Sequence, residues 1–146
     1  EIREARGLVY SVYSFVSSFQ DGGIFGVYAG TGEQEIKEVV PLLCDELMRS
    51  TLDISEEETT RARAQLKASI LMSLESTSSR CEQAARQLLV YNRIIPLEET
   101  VAKIEAVDAA AVMRAAKRIL ESTLTLTALG PLKELETYDA VTKRLA

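Results

Sequence analysis

Arg3 and Tyr10 are the pair of residues with the most chemistry in them. Gly7 lies between them and follows Arg6. A glycine just past basic residues ends a helix cheaply, because it takes a left-handed turn while the cations face the carbonyl end of the dipole. A chain that turns there brings residues 3 and 10 toward one another. A guanidinium beside a phenol would donate hydrogen bonds to a peptide carbonyl, or to the oxyanion that forms from it. Spacing alone favours a simpler reading, with Arg3 as a helix-end cation and Tyr10 as a strand aromatic.

Two other groups invite chemistry and have plainer explanations. Gly22, Gly23, Gly26, Gly30 and Gly32 suggest a phosphate loop, and Gly30-Thr31-Gly32 precedes a helical pattern. Glu33 and Glu35 at that helix start would repel a phosphate, and Glu35 stands where a dinucleotide fingerprint needs its third glycine. Glu56, Glu57 and Glu58 form an acidic run, but at a helix N-terminus carboxylates serve as dipole partners and solvated charge. The chain has no histidine and two cysteines, Cys44 and Cys81. A zinc site or a Ser-His-Asp or Cys-His nucleophile built from this chain alone is therefore excluded, and the cysteines read as core thiols in helices.

The elements that must carry these residues follow from periodicity and caps. Val9 to Phe19 is rich in β-branched and aromatic residues, with Tyr10, Val12 and Val16 on one face and Tyr13, Phe15 and Phe19 on the other. Asp21-Gly22-Gly23 offers the positive φ of a tight reversal, and Ile24 to Ala29 returns as a second strand. Thr31-Gly32-Glu33-Gln34 has the form of a capping box opening a helix to about Ser50, with Pro41 expected to kink it or delay its start. Ser55 and Glu58 form a second box, for a helix to about Glu75 with Ala62, Leu66, Ser69, Ile70 and Ser73 as its stripe. Ser79 to Glu82 is a third box, for a helix to about Tyr91; Pro96 opens a short helix, and Asp108 caps another to about Leu120. Ser122 to Leu129 alternates with period two and predicts a strand, and Leu132 to Leu145 predicts a closing helix. The order predicts an α+β fold: an antiparallel or mixed sheet, made of the hairpin plus one late strand, covered by several helices in a single domain over residues 1–146.

At 146 residues, 47% hydrophobic and 27% charged, the composition is that of a soluble domain with material for a core. A net charge of −5 argues against nucleic acid as a partner, since phosphate binding needs a cationic face. No apolar run approaches a membrane span and no leader is visible, so a cytoplasmic protein is expected, with no membrane partner.

At these residues a resemblance adds to the reading. REARGLVY at 3–10, GIFGVYAGT at 23–31 and the run from Ala64 through Leu74-Glu75-Ser76 to Arg80 and Ala84 together resemble the C-terminal, non-zinc domain of the pitrilysin/insulinase metallopeptidases. The branch is the one that includes mitochondrial processing peptidase. The likeness covers nearly the whole chain and implies that it starts after the first strands of such a domain. It implies a chamber of two halves, in which the zinc-bearing domain of the same or a partner subunit carries H-x-x-E-H and faces this one. It further implies that Arg3 and Tyr10 match a pair that holds the substrate backbone near the scissile bond. Zinc is then expected in the partner domain and none in this chain, with a peptide substrate and a homo- or heterodimer. The rival expectation is an assembly domain of the same fold without a proteolytic role.

Overall fold

The structure is a computed structural model and describes residues 7–146. Arg3 and the helix expected before Gly7 lie outside the described residues. Strands β1 (Val9–Ser18) and β2 (Gly23–Thr31) form a two-stranded antiparallel sheet. Six helices follow: α1 (Ile36–Leu52), α2 (Glu56–Ser73), α3 (Thr77–Tyr91), α4 (Leu97–Glu105), α5 (Ala109–Leu120) and α6 (Tyr138–Arg144). The fold is α+β, as the pattern predicts.

The chain divides into two compact units. The first takes residues 7–16, 25–53 and 113–146, the second residues 17–24 and 54–112. In the first, Val9 and Val39 are buried and Leu8, Val12, Ala29, Leu42 and Leu43 pack around them. Apolar residues of α1 recur at helical spacing and so meet the hairpin along one stripe. An open hollow of about 300 Å³ is lined by Val12, Phe25, Val27, Leu43 and Leu47. Tyr13 stacks on Tyr28 across the strands, with ring centres 5.0 Å apart, and the Phe15 ring lies over Gly26, where a β-carbon would collide with it. Gly26 thus serves cross-strand packing.

The second unit is joined differently. Ser55 accepts from the Glu58 N–H at 3.1 Å while Glu58 accepts from the Ser55 N–H at 3.0 Å, so the predicted capping box forms. Arg63, half-buried on α2, donates to the carbonyl of Glu105, the last residue of α4, at 3.4 Å and to that of Val107, just past it, at 2.7 Å. Lys67 pairs with the Glu105 carboxylate at 2.7 Å. The expected stripe of Ala62, Leu66, Ser69 and Ser73 is exposed instead. The half-buried face is Arg63, Lys67, Ile70 and Leu74, because the orphan carbonyls at a helix C-terminus want donors and not methyl groups.

Other boundaries also shift for physical reasons. Gly22 and Gly23 do not take positive φ; a wider loop over residues 19–22, closed by Phe19 N–H to Gly22 O at 2.9 Å, reverses the chain without left-handed residues. The Thr31 capping box does not form, since Thr31 ends β2, and α1 starts at Ile36 and continues through Pro41. Ser76, not Ser79, caps α3. Residues 122–129, exposed except for half-buried Leu124, join no ladder among the described residues, because period two sets a preference and a strand still needs a partner. The closing helix is shorter than predicted, starting at Tyr138 behind a Thr137 cap. Among the described residues the buried apolar ones are few, namely Val9, Val39, Cys44, Ala109 and Val141, fewer than composition predicts.

Candidate functional site

Tyr10 is the second residue of β1, three positions after Gly7, whose φ of +63° is the left-handed turn the sequence predicts there. The Tyr10 side chain is 81% exposed, and among the described residues its hydroxyl has no hydrogen-bond partner. An exposed phenol on a strand end, with its proton uncommitted, is free to donate to an incoming carbonyl. Its neighbour Val9 is 7% exposed, so the strand is anchored one residue away from the group it presents. The anchoring continues at Leu8. The Thr31 hydroxyl, at the far end of β2, donates to the Leu8 carbonyl at 2.6 Å. Sequence reasoning assigned Thr31 to a helix cap, and no spacing rule links a threonine to a carbonyl 23 residues earlier.

The remaining candidates have structural work. The Glu35 carboxylate lies against Gly32, so an acid occupies the space over Gly30-Thr31-Gly32 that a phosphate would need. Glu58 completes the α2 cap, and Glu56 accepts from the Ala109 N–H at 3.0 Å while Asp108 accepts from the Ala111 N–H at 2.6 Å. Together they satisfy the first donors of α5. Cys44 is buried in α1, and burial pushes its thiol above the ordinary value, the Arg144 guanidinium opposing this in part. Such a thiol is a poor nucleophile. Cys81 is exposed rather than in the core. Among the described residues no three His, Cys, Asp or Glu side chains converge to hold a metal. With no histidine either, the residues present do not fit a zinc site.

Residues 1–66 match the family described as the Peptidase M16 inactive domain. The chain is 36% identical over 135 residues to the probable mitochondrial-processing peptidase subunit beta of Arabidopsis thaliana, an alignment covering 92% of this chain and 25% of that protein. The chain belongs to the M16 peptidase family. It is that family's C-terminal, non-zinc domain, as the motifs at 3–10 and 23–31 imply. Over 145 residues it is also 34% identical to an uncharacterized zinc protease of Streptomyces coelicolor, across 97% of this chain and 32% of that one. Zinc therefore belongs to the family, while among the described residues of this M16 domain no ligand set converges. The chain spans about a quarter to a third of the length of the curated relatives it matches. A chain of complex III2 from Candida albicans, solved with Inz-5 bound, superposes with a TM-score of 0.89 over 99% of this chain and 35% of that one, at 24% identity. That likeness establishes the fold.

Proposed function

We propose that this M16 domain positions peptide substrate for a zinc-dependent metalloendopeptidase whose metal sits in another domain of the same or a partner subunit. The observation that carries this is Tyr10, an 81% exposed strand-end phenol whose hydroxyl has no partner among the described residues, placed just after the Gly7 turn. Arg3 completes the pair in this reading. The two donors grip the substrate backbone and polarise the scissile carbonyl, and positioning of this kind supplies rate without a nucleophile of its own. The zinc, bound elsewhere, supplies the activated water. An extended substrate held by its main chain tolerates varied side chains, which suits unstructured peptides. Relatives named as zinc proteases and as a processing-peptidase subunit support the reaction class.

A second reading is an assembly domain that cleaves nothing. The exposed apolar side chains Met72, Leu89 and Leu129 favour it, since surfaces of this kind are covered in assemblies. Cleavage of a quenched fluorescent peptide by the full-length parent protein, with and without a chelator, separates the two. Chelator-sensitive cleavage is expected; no cleavage with zinc bound would leave the assembly reading.

A further inference from the structure

We propose that Thr31 is a positioning residue for Tyr10, an inference that rests on the reading just given. Tyr10 has nothing of its own to hold it: its side chain is 81% exposed and its hydroxyl is unbonded among the described residues. Its direction is therefore set by the backbone, through its own place in β1 and through residues 7–9, which lead the chain into the strand. Gly7 takes the left-handed turn, Val9 is buried against Val39, and Leu8 between them lies outside the ladder. Leu8 is only half-buried, against Val9 and Val39, and no sheet pairing fixes it. The Thr31 hydroxyl fixes it, by a part-buried 2.6 Å hydrogen bond to the Leu8 carbonyl. That distance is within the ordinary range for a hydroxyl donor, and the donor is the last residue of β2. The hydroxyl is available for this because Thr31 does not cap α1, whose cap residue is Glu35. Gly30 beside it leaves room for the Ser11 side chain, whose Oγ would lie 3.1 Å from any β-carbon at that position. The two ends of the hairpin can thus close next to the turn.

The test is a double-mutant cycle in the full-length protein, reading kcat and KM for a fluorescent peptide together with the melting temperature. Thr31→Val keeps the shape and removes the hydroxyl; it should lower kcat about tenfold, leave KM within about twofold, and cost Tm only a few degrees. Thr31→Ser restores the donor and should recover most of kcat. In a Tyr10→Phe background Thr31→Val should lower kcat by less than about twofold, because the group it aims is gone. An equal loss in both backgrounds would mean a merely structural role and overturn the inference, as would an unchanged kcat. Should Thr31→Val fold poorly, Thr31→Ala takes its place in the cycle, and loss of the fold in both would also overturn the positioning role. If Tyr10→Phe itself leaves cleavage unchanged, the proposed function fails first and this inference falls with it.

Discussion

The hairpin-α1 contact and the α2-α4 contact are built on opposite principles. In the first, Val39, 1% exposed, meets Val9 inside a shell of Leu, Val and Ala side chains. In the second, Arg63 and Lys67 reach across to the end of α4, where two carbonyls and one carboxylate receive them. Apolar contacts are non-directional and scale with the area removed from water, so periodicity finds them. Contacts to a helix end depend on where the orphan carbonyls fall, and a list of hydrophobic positions is blind to those. That is why Ala62, Leu66, Ser69 and Ser73 of the predicted α2 stripe lie on its exposed face, while Ile70 alone of that stripe is half-buried.

The comparison is broken most sharply at Val39. Val39→Ala removes two buried methyl groups from a site with little freedom to collapse, and should cost about 2 kcal/mol in urea unfolding, with no salt dependence. A cost near zero would mean that the hairpin is held by its ladder alone. Arg63→Met keeps much of the aliphatic stem and deletes the donors, and should cost about 1 kcal/mol by leaving the carbonyls at the end of α4 to water. Denaturant melts at low and high salt check it, since loss of a hydrogen bond to a neutral carbonyl is screened less than loss of an ion pair. The smallest effect is expected at Glu99. Arg93 clasps it with two hydrogen bonds, of 2.8 and 2.6 Å, and Lys103 adds a third contact at 2.8 Å, holding the carboxyl at about 2 against an ordinary 4.5. A depressed carboxyl of this kind contributes stability that is present above pH 4.5 and lost as pH falls through about 2. The clasp lies at the surface, with the Glu99 side chain 32% exposed, so the contribution is small and fades with salt. An NMR titration of Glu99 should show its midpoint rising toward 4.5 in Arg93→Gln; an unmoved midpoint would deny the clasp.

Much of the fold was legible, and the exceptions share a cause. The hairpin, the Ser55–Glu58 box and the Asp108 cap are short-range patterns whose partners lie within a few residues, so composition and spacing specify them. Residues 122–129 failed as a strand because alternation names a conformation and not a neighbour. Thr31 was misassigned for the same reason: its hydroxyl had a plausible local partner three residues on and took one 23 residues back. At the candidate site, the Gly7 turn and the place of Tyr10 on a strand follow the sequence, the 81% exposure of Tyr10 does not, and Arg3 lies outside the described residues. What ties Leu8 in place depends on the closure of the hairpin, and only a folded chain displays that.

The most direct measurement is turnover of a fluorescent peptide by the full-length protein carrying Tyr10→Phe, with its melting temperature recorded alongside. If Tyr10 holds substrate, kcat falls about a hundredfold, as it does when one oxyanion donor is removed, while Tm stays within about a degree of the unaltered protein. Unchanged turnover at unchanged Tm would contradict that role, and would leave Tyr10 as an exposed strand aromatic with no part in holding substrate.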